Sequence, residues 1–498
     1  MTSYDYVIVG GGSAGATLAR KLADDPQISV LLIEGGPAYE DDPKVMYLKE
    51  SLGLVGDPLY DYDYPLVAQE RGNSLLRLSR AKMLGGCSAH NDSWALRAPH
   101  SDMDRWERKG AAGWNAETTG PYFDRILHEM HVHPVTKGAE LSNAWFKAGS
   151  ELGMTEIDNT RGEYGPGVSW VSLNEHDGLR YSTAMAYLFP LSELPSNLML
   201  QLETLATRIL FDGTRAIGVE TDQGSFFASR EVIVSTGAID TPKLLMLSGV
   251  GPAEHLAEHG IPVVVDLPGV GSNLQDHIET PVTWESSRPA GESINGLDLG
   301  IYAALGPGDE DFDTQVTVGH FTYWLAAPPF DDLDTTELAF TFAPNVARPA
   351  STGTIRLASA DWRDKPLIDP RYFTDEGNQD EAKLVAGIRL AREFAKTEAL
   401  KDWIVREIVP GAELQSDEEL GAFARRYSNT VYHPMCTAKM GDPADPLTVV
   451  DPRLRVVGTE GLRVVDGSVM PEIVRVNPNM TIIMIAARAA DLIKEDAR

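Results

Sequence analysis

YDYVIVGGGSAGATLARKLADD, residues Tyr4–Asp25, carries three signals in succession. Tyr6–Val9 is a short apolar, β-branched run of the kind that forms a strand buried on both faces of a parallel sheet. A glycine turn follows, and then Ala14, Leu18 and Leu22 recur at the spacing of one helix face. A second apolar run, Ile28–Ile33, ends at Glu34 and completes a βαβ unit. Gly10, Gly12 and Gly15 fit G-x-G-x-x-G in that context: the first permits the tight turn, the second lets backbone approach a pyrophosphate, and the third lets helix and strand pack closely. The pyrophosphate would sit on the helix N-terminus, beside Ser13, where free N–H groups and the helix dipole favour an anion. Glu34 falls near the position, roughly 20 residues on, of an acid that binds ribose hydroxyls. Its charge argues against a cofactor with a ribose phosphate, but the motif leaves FAD and NAD open.

The whole chain has 498 residues, 43% hydrophobic and 23% charged, which excludes wholesale disorder. Lys plus Arg number 43 against 73 Asp plus Glu, and a formal charge of −30 repels nucleic-acid phosphates and anionic membranes. Cys87 and Cys436 are the two cysteines, too few for a disulfide framework or a cysteine-rich metal site, and no metal is expected. MTSYDYVIVGG has no basic region ahead of an apolar stretch, and no apolar run reaches membrane-spanning length, so the expected location is the cytoplasm. Charge does not fix oligomeric state, and a homodimer stays open.

Strand–turn–helix patterns recur at Glu231–Ser248 and near the C-terminus, where the helix Thr481–Ile493 follows NPN, with Asn479 expected as its N-cap. Glu381–Lys396 reads as an amphipathic helix, and Gly306–Asp313 as an exposed loop. The economical fold is α/β: one Rossmann-like domain assembled from separated segments, with the intervening chain forming a second part.

Four further stretches narrow the reading: SRAKMLGGCSAHNDSWALRAP (Ser79–Pro99), VIVSTGAIDTPKLLMLSGVGP (Val232–Pro252), NTVYHPMCTAKMG (Asn429–Gly441) and LRVVDGSVMPEIVRVNPNMTIIMIAARAADLI (Leu462–Ile493). With the N-terminal motif, and in this order, they resemble the glucose–methanol–choline family of FAD-dependent oxidoreductases, and within it the branch that oxidises choline. The resemblance implies an FAD-binding domain from residues 1–155, 195–275 and 420–498, and a substrate domain, mainly antiparallel sheet with covering helices, from 156–194 and 276–419. It implies that Thr207 and the Ser235–Gly237 turn line the adenine end of FAD, that Asp466 and Gly467 lie near the pyrophosphate and flavin, and that Gly85, Asn91, Pro478 and Asn479 also contact the cofactor. His90 matches a histidine that carries a covalent bond to the flavin in that branch; the alternative is a noncovalent neighbour of the ring.

His433 and Asn477 match the family's catalytic pair. Removing a hydroxyl proton while hydride leaves the carbon needs a base or a donor at the alcohol oxygen. Glu279 matches a carboxylate that binds a cationic head; Tyr323, Val431 and Tyr432 match the surrounding pocket, and Asp92 stands in it where the branch has a small hydroxyl residue. The chain departs from the branch at Leu52 and Leu297, which stand where tryptophans line the cage, and at Thr317, which replaces a histidine. Fewer aromatic faces weaken a cage for quaternary ammonium, and a second carboxylate at Asp92 favours an ammonium that donates hydrogen bonds, unless Asp92 caps the next turn. The expected reaction is oxidation of a primary, amine-bearing alcohol (choline, an amino sugar or another amino alcohol) to the aldehyde, with O2 returning as hydrogen peroxide. A dehydrogenase passing electrons to a quinone, and a lyase keeping FAD without redox turnover, are the alternatives. Cys436, close after His433, reads as a small buried residue and not as a nucleophile.

Overall fold

The apolar run at the start of the chain forms the strand Ser3–Val9, with its last four residues buried. The computed structural model describes residues 3–135, 138–306, 311–322, 336 and 338–497, the side chains of Ser51 and Leu52 apart. In it this strand lies inside a seven-stranded sheet, parallel to Val30–Ile33 on one side and to Gly224–Val234 on the other. Leu198–Gln201 extends the sheet beyond Val30–Ile33, and Leu462–Val464 pairs in parallel with Val232–Val234. Helices cover both faces, so Val30–Ile33 is buried at every residue and its sequence shows no polar alternation. Start, middle and end of the chain thus meet in one sheet, and the helix Ser13–Leu22 packs on the C-terminal helix Asn479–Asp496.

A second sheet has nine strands and a period-two logic. Leu299, Ile301, Val316, Val318, Phe340 and Phe342 face a core completed by Trp145, Ile388 and Phe394 from the helices Glu140–Glu151 and Gln379–Ala395. The alternate residues face the other way and are polar or small. In register across that face run Tyr302, Gln315, Asn345, Glu279 and Asn429, contributed by five strands. The first four are at most 4% exposed, so this polar row is covered, Tyr302 by Tyr164 and Phe312 and Gln315 by Asn477 of the nucleotide-binding half.

Two expected domain boundaries move. Leu141, Trp145 and Ala148 are buried in the core under the second sheet, so the chain enters that half by residue 140 and not at 156. The boundary at 420 falls inside the helix Asp417–Arg426, and Asn429–Thr430 still pairs with Ile278–Glu279, so the return comes after residue 430. In both places an amphipathic helix packs on the second sheet, which sequence periodicity cannot assign to a partner.

Candidate active site

The glycine turn meets each of its steric demands. Gly10 has φ +97°, and a Cβ there would lie 2.5 Å from the carbonyl oxygen of Ser235. A Cβ on Gly15 would fall 1.8 Å from the carbonyl oxygen of Gly10, so helix and strand touch backbone to backbone. On Gly12 it would meet only the Cα of Gly86, at 3.7 Å. Gly12 therefore borders a cleft of ≈ 370 Å³ that Gly10, Ser13, Glu34, Ser235, Gly237, Asp466 and Gly467 also line. Asp466 ties its two sides: its carboxylate accepts from the Gly237 N–H at 2.9 Å, Thr241 Oγ1 at 2.6 Å and the Ser468 N–H at 2.8 Å. Glu34 accepts from the N–H groups of Gly11 (2.7 Å) and Gly36 (2.8 Å), yet burial pushes its carboxyl up to about 7. Each oxygen keeps a lone pair for a further donor such as a ribose hydroxyl. A helix N-terminus, an open glycine and an acid at the strand end fit a dinucleotide.

Gly85, His90, Asn91, Thr207, Pro478 and Asn479 do not line this cleft, and two of them have a near neighbour in their place. Thr207 does not line it; its hydroxyl donates to the Glu220 carbonyl at 3.2 Å, and Thr204, Leu205 and Ala206 line the cleft instead. Gly85 braces the glycine turn from behind, its N–H donating to the Gly11 carbonyl at 2.7 Å, while Gly86 and Cys87 face the cleft. In both cases the resemblance locates the loop to within a residue or two, and local backbone direction decides which residue faces in.

His90 follows the short helical turn Gly86–Ala89 and is 9% exposed, with Nε2 at 3.3 Å from Ser79 Oγ and 3.9 Å from Asp61 Oδ2. Burial outweighs Asp61 and lowers the imidazole to about 4, so it is neutral at physiological pH. Asn91 does not line the cleft: its Oδ1 accepts from the Ser93 N–H at 3.1 Å and from buried Arg180 at 3.0 Å. Asn91 thus caps the turn at Ser93. Asp92 instead lies close enough to act electrostatically on both Arg180 and Glu279.

His433 Nδ1 lies 2.9 Å from Nδ1 of His277, with the two rings nearly perpendicular at 85°. Burial and the neighbouring ring hold His433 well below the usual imidazole range, and burial takes His277 down to about 4. The loop is pinned by buried Asp276, which accepts from the His433 N–H (2.9 Å), Thr430 Oγ1 (2.6 Å) and the Tyr372 hydroxyl (2.5 Å). Between these anchors Tyr432 sits at φ +62°, a conformation that costs a bulky residue on the order of 1–3 kcal/mol and persists only where its surroundings impose it. Val431 continues the pinning through its N–H to the His277 carbonyl at 3.0 Å. Cys436, with no exposed surface and a thiol raised well above its usual range by burial, is inert packing.

Asn477 lies just before the C-terminal helix, and its Oδ1 accepts from Gln315 Nε2 at 3.0 Å. The helix begins at Asn479 with Pro478 in the capping position, so Asn479 is not the cap; its Nδ2 is buried with no partner. Glu279 is 4% exposed: Oε1 accepts from Asn429 Nδ2 at 3.3 Å, and Oε2 is buried with no partner. Burial raises its carboxyl to about 8, with Asp276 and Asp92 adding to the rise. Tyr432 is near enough to feel the Glu279 charge. Tyr323 and the side chain of Leu52 lie outside the described residues. Leu297 is buried in the core of the nucleotide-binding half, and Thr317 is 7% exposed on the polar sheet face, beside Gln315 in its strand. His277, Gln315, Asn345 and Asn429 were not singled out from sequence; for His277 the signal was its place two residues before Glu279 in LQDHIET.

Elsewhere, among the described residues, His255, Glu258 and His259 lie close enough to share a metal ion. Nε2 of His255 already accepts the Leu357 N–H at 3.0 Å, so ligation through Nδ1 would demand an imidazolate.

Against known families, residues 4–279 match the N-terminal model of the GMC oxidoreductases and residues 349–486 the C-terminal model. The chain is a GMC oxidoreductase. This GMC oxidoreductase is 44% identical to a choline oxidase of Arthrobacter globiformis, over 99% of this chain and 94% of that protein. It is 36% identical to the mitochondrial choline dehydrogenase of Homo sapiens, over 99% and 90%. Among solved structures it is similar to pyridoxine 4-oxidase from Mesorbium loti, with a TM-score of 0.90 and 28% identity over 99% of both chains. Formate oxidase follows at 0.88 and 25%, over 99% and 98%. As in the rest of the family the cofactor is FAD, and the cleft described above is the site that suits it. No described helix is long and apolar enough to cross a membrane.

Proposed function

We propose that this GMC oxidoreductase oxidises a primary alcohol carrying a cationic amine to the aldehyde, with O2 as the electron acceptor and hydrogen peroxide as the second product. The observation that carries the reading is the paired histidine: a neutral His433 whose Nδ1 is engaged by His277. Two neutral imidazoles in Nδ1–Nδ1 contact share one proton between those atoms. His277 Nε2 is buried with no hydrogen-bond partner, and we assign the His277 proton to that nitrogen, so that the proton shared between the rings is the one His433 carries. His277 Nδ1 is then the acceptor, His433 Nδ1 the donor, and His433 Nε2 keeps a lone pair. That lone pair takes the hydroxyl proton as a general base. Asn477 holds the alcohol oxygen, and Glu279, with an unpaired buried oxygen, receives the cationic head. Gln315, which grips Asn477, and Glu279 are two strands apart in one row, roughly 10 Å, the span of a small amino alcohol. FAD, when bound, supplies the hydride acceptor; Gly10, Gly12, Ser13, Glu34 and Asp466 would hold it, and neutral His90 would link to it covalently.

The substrate assignment draws on Glu279 and on the choline enzymes among the relatives; Asp92 nearby extends it to ammonium groups that donate hydrogen bonds. A cytoplasmic location belongs to the same proposal and rests on the sequence alone. The test is turnover of choline, 2-aminoethanol, an amino sugar and a neutral alcohol in air. The reading expects cationic alcohols to be preferred, with one peroxide released per aldehyde. Preference for the neutral alcohol refutes the substrate class. Aldehyde without peroxide, restored by an added quinone, favours the dehydrogenase that the human relative's name denotes.

A further inference from the structure

A carboxamide has two ends of opposite character, and the protein must choose which one a reacting oxygen meets. Asn477 can present either its carbonyl oxygen or its NH2. Its backbone is fixed on both sides: buried Arg475 is clamped by Asp102, which accepts from Nε at 2.7 Å and from the N–H at 2.8 Å, and Pro478 follows. Neither anchor determines rotation of the Asn477 amide about its own side chain. Gln315 does. It is 2% exposed in the strand Thr314–Gly319, in register between Tyr302 and Asn345, and its Nε2 donates to Asn477 Oδ1 at 3.0 Å.

We propose that Gln315 is a positioning residue: by occupying Oδ1 it leaves the NH2 of Asn477 as the group that meets the alcohol oxygen. This rests on the reading of Asn477 as substrate-facing. As His433 removes the hydroxyl proton, negative charge grows on that oxygen, and a preset donor lowers the barrier where an acceptor would raise it. Gln315 touches neither substrate nor cofactor in this scheme and acts through Asn477 alone.

The substitution Gln315→Glu separates orientation from packing. While protonated, the introduced carboxyl still donates O–H to Oδ1 of Asn477. Once ionised it can only accept, so it draws the NH2 of Asn477 toward itself and turns Oδ1 toward the substrate. In Gln315→Glu holoenzyme, the rate of flavin reduction at saturating choline is expected to fall at least about tenfold through a pH transition that the wild type lacks. Gln315→Leu is expected to be slower by about tenfold at every pH. The same added transition should appear without turnover, in the calorimetric Kd of trimethylglycine, whose carboxylate stands in for the carbinol and accepts from the Asn477 NH2. If Gln315→Glu follows the wild type or Gln315→Leu at every pH in both measurements, the orienting role is wrong. Asn477→Ala keeps the premises apart. If it slows flavin reduction less than about twofold, the substrate-facing reading of Asn477 fails. If it is severely slow while Gln315→Glu shows no added transition, only the role of Gln315 fails.

Discussion

Replacing Glu279 by Gln removes one charge from the row without changing its shape, and the structure says at what pH the loss is felt. The free carboxyl sits at about 8 because it is buried, with one oxygen on Asn429 and the other on nothing. At pH 7 roughly one molecule in ten is then ionised, so kcat/KM for a permanently cationic alcohol should climb about tenfold from pH 6 to 7 and level off above about 8.5. His433 does not confuse this limb, because its imidazole is held well below the usual range and is already neutral. Losing one partner of a buried charge pair costs on the order of 2–5 kcal/mol, so on the plateau Glu279→Gln should lower kcat/KM for choline by about 30- to 4000-fold. The neutral isostere 3,3-dimethylbutan-1-ol should change little and show no rise near pH 8. Initial rates for both alcohols from pH 6 to 10 measure the ratio. A ratio constant with pH in the wild type, or unchanged in the variant, refutes the cation site.

The same carboxyl has a signature in stability. Its folded value lies above the ordinary 4.5, so the folded protein holds the proton more tightly than the unfolded chain. Stabilisation from this group is therefore complete below pH 4.5 and is lost as pH rises through about 8, on the order of 5 kcal/mol for the substrate-free protein. Subtracting the Tm profile of Glu279→Gln from that of the wild type isolates the effect, and the difference should fall across that window. Saturating choline should flatten it.

His433→Ala should slow flavin reduction by about 10²–10⁴-fold in stopped-flow measurements at pH 8, with choline binding less affected; a loss under tenfold would remove it as the base. In acid-precipitated protein, yellow colour should stay with the wild type and leave His90→Ala, and free colour in both would mean a noncovalent flavin. Gly15→Ala, whose Cβ would lie 1.8 Å from the Gly10 carbonyl, should yield little flavin-loaded protein. Gly12→Ala, with 3.7 Å of room on the protein side, should fold and instead bind FAD more weakly, so the two variants should differ in Tm more than in flavin content at low FAD.

What was legible in the sequence was what local sterics dictate. Gly10 and Gly15 are spaced as they are because backbone atoms approach too closely for any side chain, and that constraint shows in a short stretch of text. The unbroken apolar runs at Val7–Val9 and Leu31–Ile33 likewise announce strands covered on both faces. One residue of register was harder. Asn479 looks like a helix cap by residue type, but Pro478 already has helical φ and ψ and takes the position, which leaves the Asn479 amide buried and unpartnered.

The polar row was beyond reach for a different reason. Alternation in TQVTVG tells that Gln315 and Thr317 share a face opposite Val316 and Val318, but not what lies across from them. That depends on strands that begin at residues 278, 299, 339 and 429, whose pairings set Gln315 beside Asn345 and Asn345 beside Glu279. Chemistry follows from that register. A slip of one residue would turn Glu279 into the apolar core and Ile278 toward the substrate, and would take Gln315 off Asn477. The sheet that recognises the cationic head is therefore the same object that orients the donor at the alcohol oxygen. Substitutions that shift the register at Asn345 should harm cation selectivity and the flavin-reduction rate together, whereas Glu279→Gln should harm the first and Gln315→Leu the second.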